Sequence, residues 1–395
     1  MIYDALVIGG GPAGGTSALL LARAGWSVAV VEKAAFPRRK VCGEFISATT
    51  LPLLDALGLA ELFLKSAGPA VRRVGFYAGD ATLSAPMPET EGGIEPWGRA
   101  LGREHLDVMI LDAAVSAGTR VWQPWTAMDL RRQGNLHTCE IAADGKTDQL
   151  SARIVILANG SWERGPLPAG VPAHRPSDLL GFKGHFKEST LPEGLMPLLA
   201  FPGGYGGMVH VDGGRVSLSC CIRRDELKRS RERTPGRPAG EAVLEHIKAS
   251  CRGVREALAS AHLDGPWLSA GPIRPGIRRR AADGMFFVGN IAGEAHPVIA
   301  EGISMAIQSA WLLTRNLIAA GPEAASGAAA AKIGRAYAAE WRRVFAFRLR
   351  TSMALSALLT GPRGGAIVTP VVRQFPAILT LGARFAGKAR ELPAI

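Results

Sequence analysis

The sequence predicts an α/β protein with three parts: a discontinuous Rossmann-type nucleotide-binding domain, a second domain built on an antiparallel β-sheet, and a C-terminal helical region. Three observations carry this expectation. A glycine loop sits between an apolar strand and a helix at the start of the chain. Short apolar runs between Leu180 and Ile222 are separated by turn residues. A strand, a glycine-containing loop and a helix start then return together at Asp283 to Ser309. The implied boundaries are 1–75, 98–165 and 270–320 for the first domain, 76–97 and 166–269 for the second, and 321–395 for the helical region.

Ile2 to Ile8 reads as a buried strand, followed by Gly9, Gly10, Gly11, Pro12, Ala13 and Gly14 and a helix from Ala13 to Ala24. Gly9 allows a tight turn, Gly11 lets backbone approach a pyrophosphate, and Gly14 permits close packing of helix on strand. A second strand, Ser27 to Val31, ends at Glu32, where a carboxylate is placed to accept both hydroxyls of an adenosine ribose. Phe36 to Ser47 reads as a loop, Thr50 to Leu64 and Arg103 to Ala117 as helices, and Ser84 to Trp97 as an irregular connection. Val121 to Ile141 suggests a β-meander, and Arg153 to Leu157 a buried strand ending at Ala158, Asn159 and Gly160.

The second sheet is expected from Leu180 to Lys187, Leu198 to Phe201, Gly207 to Val211 and Arg215 to Ile222, with Asp212, Gly213 and Gly214 as a hairpin turn. Met285 to Val288 forms the returning strand. A helix starting near Glu301 aims the amides of Gly302 and Ile303 at whatever lies in front of the loop, which favours an electron-rich group. Gly321 to Ala331 reads as an Ala- and Gly-rich linker, Tyr337 to Leu358 as a helix dense in arginine and aromatics, and the rest as an apolar and basic tail.

With 395 residues, 47% of them hydrophobic, the chain has material for a large core. Its net charge of +12 would suit nucleic acid, an anionic membrane or acidic ligands. The basic residues are dispersed and lack interleaved aromatics, so no nucleic acid is expected. The five cysteines show no CxxC spacing and the histidines are scattered, which points to reduced thiols and no metal. The late apolar stretches are too interrupted for a transmembrane span, and the chain opens on a strand rather than a leader pattern. A cytoplasmic location follows as the expectation. The arginine-rich helix offers a peripheral membrane contact, against the plainer reading of a covering helix with a basic outer face.

The sequence resembles FAD-dependent oxidoreductases of the p-hydroxybenzoate hydroxylase fold, in the geranylgeranyl reductase and flavin-halogenase branch. Three matches carry the resemblance over most of residues 1–320: GGGPAG with Glu32, the helix opening REHLD at Arg103, and GNIAGEAHPVIAEGISMAIQSA beside GDAAGxxxPxxGEGIxxAxxSG. FPRRKVCGEF and FPGGYGG are weaker matches to PxxKxCGG and PGGYGWxFP. The resemblance makes the first domain FAD-binding and the second a substrate domain. It implies that Gly9, Gly11, Pro12, Ala13, Gly14, Glu32 and Lys33 hold the ADP half, and that Arg103 serves the pyrophosphate or ribityl side. Asn290, replacing the family's Asp, would face the ribityl, and Gly289 and Gly293 would let backbone approach the cofactor. Pro297, Gly302 and Ile303 would lie along the isoalloxazine.

His296, between Gly293 and Pro297, is the catalytic candidate, as an acid, a base or a hydrogen-bond donor to substrate. Cys42 and Glu44 are expected to shape the cavity, and His185 and His210 to be structural. The GWxWxIP signature of flavin halogenases is missing, Asn159, Gly160, Ser161 and Trp162 replace the hydroxylases' Asp-Gly pair, and Gly207, Met208 and Val209 replace the reductases' aromatics. These departures favour a monooxygenase acting on a hydrophobic aromatic or polyketide-like molecule. The alternative is a reductase of carbon–carbon double bonds in an isoprenoid or lipid; halogenation and flavin binding without turnover rank below both. With no second dinucleotide fingerprint, NAD(P)H is expected only as a transient electron donor.

Overall fold

The computed structural model describes residues 1–91, 93–160, 165–167, 173–323, 327–361 and 364–387. Ser161 and Trp162 lie outside the described residues. A parallel core runs in the order Met285–Phe287, Lys146–Leu157, Ile2–Ile8, Val28–Val31, Arg120–Trp122, with Ala281–Ala282 added antiparallel at one edge. The chain thus leaves this sheet after Leu157 and rejoins it at Ala281. The register decides where a ligand is met. Ile8 pairs with both Leu157 and Val31, and Leu157 with Phe287, so Gly9, Glu32, Ala158 and Val288 emerge at one carboxyl edge. Ligands of open α/β sheets bind at such an edge.

The strand read as Arg153 to Leu157 is longer, Lys146–Leu157. Its first half pairs antiparallel with Leu136–Ala143, and its second half is a buried parallel strand. Only the second half shows the continuous apolar run by which a buried strand is recognised.

The second sheet runs Leu179–Lys187, Val216–Arg223, Gly204–His210, Leu195–Phe201, Arg73–Ala78, Ala81–Pro86. All neighbours are antiparallel except Leu195–Phe201 with Arg73–Ala78. Leu268–Ile273, not foreseen as a strand, adds to the Leu179–Lys187 side through an irregular register. The expected turn closes as a short 3-10 segment, Asp212–Gly214, with both glycines at positive φ.

The C-terminal region corrects two expectations. Helix Gly327–Leu359 begins inside the stretch read as a linker, because alanine is the strongest helix former when packing permits; residues 324–326 lie outside the described ones. The stretch read as a tail folds into two more helices, Gly364–Gln374 and Ala377–Phe385. Trp341, Phe345 and Leu349 are buried in the main core, so this part of the long helix covers the nucleotide domain. Arg348, one of this helix's arginines, is buried too and reaches Gln308.

Candidate functional site

The carboxyl edge of the parallel sheet forms a cradle whose shape requires glycine. Gly9 has φ +105°, and a Cβ there would sit 2.7 Å from the Ala158 carbonyl oxygen. A Cβ on Gly14 would sit 1.8 Å from the Gly9 oxygen, which no backbone adjustment of ordinary size relieves. Helix Pro12–Arg23 starts with proline, has no side-chain cap and carries no acid in its first turn. Its N-terminal amides are thus left for an anion. Pro12 and Ala13 are buried in that first turn, and Arg103 stands beside Gly11, its terminal nitrogen 3.4 Å from where a Cβ would be. Asp107 clamps the Arg103 guanidinium with two 2.7 Å hydrogen bonds, fixing a planar cation at the cradle's rim.

Glu32 is buried, accepting hydrogen bonds from the amides of Gly10 at 2.7 Å and Ala34 at 2.9 Å. Two amides fix the carboxylate and leave lone pairs for ribose hydroxyls. Lys33 is exposed just beyond it. Arg38, which sequence reasoning passed over, sits 3.8 Å from Glu32 and 3.4 Å from Asp107, and its Nη1 is a buried donor without a hydrogen bond. A donor of this kind beside the glycine turn suits a phosphate or ribose oxygen. These features fit a dinucleotide.

The returning segment docks on the same cradle. Gly289, at φ +66°, donates its amide to Ser309 at 2.8 Å, and a Cβ on it would lie 3.0 Å from that of Ala13. Asn290 follows in the turn Gly289–Ile291, and its amide nitrogen lies 3.5 Å from Glu294. Gly293 has a different reason to be glycine: a Cβ would be 2.3 Å from the Trp341 ring, so the long helix occupies that space. Pro297, Gly302 and Ile303 line the central cavity. Helix Gly302–Ala320 has neither a side-chain cap nor an acid in its first turn, and the space beside Gly302 is open. Its dipole therefore acts on whatever fills the cavity.

That cavity, about 340 Å³, lies between the returning segment, the second sheet and the C-terminal helices. Val74, Phe76, Met196, Leu198, Met208 and Val372 give it largely apolar walls. Tyr205, from FPGGYGG, is also on its wall. His296 stands behind this tyrosine rather than on the cavity surface: Nδ1 is hydrogen-bonded to the Tyr205 hydroxyl, and Nε2 to Ser356 Oγ at 2.5 Å. Burial pushes the His296 imidazole down to about 4, so it is neutral near pH 7, and burial also raises the Tyr205 phenol well above its ordinary range. In one neutral tautomer the Nδ1 proton is donated to the phenol oxygen and Ser356 donates to Nε2. Ser356 lies in an apolar stretch of the long helix, and nothing in the sequence links it to His296.

Glu44 and Cys42 line the cavity, as expected. Glu44 anchors a cluster that was not foreseen. It adopts φ +62°, accepts the Arg103 amide at 3.0 Å and pairs with Lys183 Nζ and with His185 Nε2 at 2.8 Å. Glu44 and Lys183 are 0% exposed and His185 is 2% exposed. Burial alone would raise the Glu44 carboxyl, but the His185 hydrogen bond and the Lys183 charge hold it down to about 2. His185, expected to be merely structural, thus joins a strand of the second sheet to the cavity loop. His210 is bonded to the Leu191 carbonyl. Among the described residues no group of three His, Cys, Asp or Glu side chains is placed to hold a metal.

The family model described as an FAD binding domain matches residues 2–347. The chain belongs to that family. FAD is the dinucleotide that the cradle fits. Tryptophan 2-halogenase of Chondromyces crocatus is 26% identical over 335 residues, covering 79% of this chain and 60% of that protein. The chain therefore spans less than two thirds of the halogenase's length. Menaquinone reductase of Mycolicibacterium smegmatis is 26% identical over 407 residues, covering 97% of this chain and 91% of the reductase. Among solved structures, the myxobacterial chondrochloren halogenase has a TM-score of 0.76 at 20% identity, over 98% of this chain and 91% of that one, which shows the shared fold.

Proposed function

We propose that this flavoprotein reduces a carbon–carbon double bond in a long apolar molecule of isoprenoid type, with NAD(P)H as transient electron donor. The observation that carries the reading is Tyr205, a neutral phenol on an apolar cavity wall, backed by His296 and Ser356. Reducing an alkene adds one hydride and one proton to adjacent carbons. FAD, held by Gly9, Gly11, Gly14, Glu32 and Arg103, supplies hydride when bound and reduced. Tyr205 supplies the proton and regains one from solvent once the product has left, while His296 and Ser356 hold its hydroxyl in place by hydrogen bonds. The apolar walls bind hydrocarbon and keep water from the reacting carbons. The near full-length likeness to menaquinone reductase supports this choice over the hydroxylation favoured by the sequence motifs.

Hydroxylation of an aromatic or polyketide-like molecule is the second reading. It rests on Gly207, Met208 and Val209 lining the cavity where the reductases carry aromatics. Product analysis separates the two. Incubation with NAD(P)H, labelled oxygen and polyprenyl or aromatic candidates is expected to give a product richer by two hydrogens and free of label. A labelled hydroxyl in the product, with no alkene reduced, would overturn the proposal in favour of the second reading.

A further inference from the structure

Helices Gly364–Gln374 and Ala377–Phe385 are apolar on two sides. Val368, Val372, Leu379 and Ala383 line the cavity. Ile367, Val371, Phe375, Leu381 and Phe385 point outward, Phe375 at 58% exposure. A helix packed on a water-facing surface is polar on its outer side, and this pair is not. More than half of the exposed large apolar side chains among the described residues fall between Phe347 and Phe385. Such a concentration marks an interaction surface.

Charge and geometry indicate what covers it. No Asp or Glu occurs between Glu340 and Glu391, whereas Arg342, Arg343, Arg350, Arg373 and Arg384 of this segment are exposed. An apolar face set among arginines and free of carboxylates complements the interface of a bilayer containing anionic lipid. The two short helices are bent by 113° at their junction, and no single helix among the described residues is long and apolar enough to cross a membrane. The pair is thus shaped to lie in an interface rather than to span it. Leu355 and Ile378, 37% and 40% exposed, also line the cavity, so the cavity meets the surface within this same face.

We infer that residues 347–385 dock on an anionic membrane surface and present the cavity mouth to it, so that an apolar substrate enters from the lipid. The docking stands apart from whether the reaction is a reduction or a hydroxylation. The contact site is the exposed end of the long helix together with the two helices that follow it, not the long helix's buried aromatic stripe.

The test is co-sedimentation of the full-length flavoprotein with phosphatidylcholine vesicles, with and without phosphatidylglycerol. Binding is expected with the anionic lipid and is expected to weaken as salt is raised. Phe375→Glu with Leu381→Glu, side chains outside the cavity lining, should reduce the bound fraction about tenfold, with flavin content unchanged. Arg373→Glu with Arg384→Glu, which leaves the apolar residues in place, should weaken it in the same direction. The inference is overturned if the wild-type protein stays in the supernatant with anionic vesicles. It is also overturned if the protein is instead a dimer in gel filtration that the Phe375→Glu, Leu381→Glu variant dissociates, since the face would then join two copies of the chain.

Discussion

The nucleotide cradle and the C-terminal roof over the cavity are built by opposite means. The cradle works through what is missing: without side chains at Gly9 and Gly14, two backbone segments come together and helix amides are left open. The roof works through what is present, contributing Leu359, Val368, Val372 and Leu379 to the walls and Ser356 to His296. Steric exclusion tolerates almost no substitution, while apolar filling tolerates many of similar volume. Binding FAD is therefore the rigid property of this molecule, and choosing the substrate the adjustable one.

Substitutions in the two regions should differ accordingly. Gly14→Ala should have the largest effect, because its Cβ would overlap the Gly9 oxygen. Purified protein is expected to lack flavin absorbance or to be insoluble, and normal flavin content would break the contrast. Next is Lys183→Met, which leaves the buried Glu44 carboxylate without its cation. Unfolding in denaturant should show a loss of about 3–5 kcal/mol, whereas a loss below about 1 kcal/mol would mean that His185 alone suffices.

A smaller effect is expected in the pH dependence of stability. The folded pKa of His296 is depressed from 6.5 to about 4, so its contribution is complete above pH 6.5 and is lost as pH falls toward 4. Glu44, depressed from 4.5 to about 2, acts in the same direction over a lower window. His296→Gln should flatten the fall in stability between pH 6.5 and 4, an effect on the order of 3 kcal/mol at most, measured by unfolding across that range. An unchanged slope would place the titration on another group. Phe375→Glu, on the outer face of the roof, should be smallest, changing folding stability by less than about 0.5 kcal/mol. A large drop in melting temperature would show that this face is packed rather than open.

The same contrast explains what could be read from the sequence. The cradle was legible because glycine spacing, a strand before it and Glu32 after it each reflect one local constraint. The returning segment was legible for the same reason, although at Gly293 the glycine also makes room for Trp341. The pairing of Tyr205, His296 and Ser356 joins residues far apart in the chain, as does that of Glu44, Lys183 and His185, and no local pattern encodes such contacts. Leu268–Ile273 was missed because its pairing is irregular and a proline interrupts it. The two roof helices were read as a tail because Gly364, Gly365 and Pro370 lower local helix propensity, which packing against the cavity overrides.

The central claim is that Tyr205 delivers the proton in an apolar cavity beside FAD. Its most direct test is the anaerobic reoxidation of the reduced enzyme by a polyprenyl alkene, followed by recovery of flavin absorbance, in wild type and Tyr205→Phe. Wild type should recover on adding the alkene, and the variant, with equal flavin content, about 10²–10⁴-fold more slowly. Equal rates in the two proteins, or no recovery in wild type with any alkene, would contradict it.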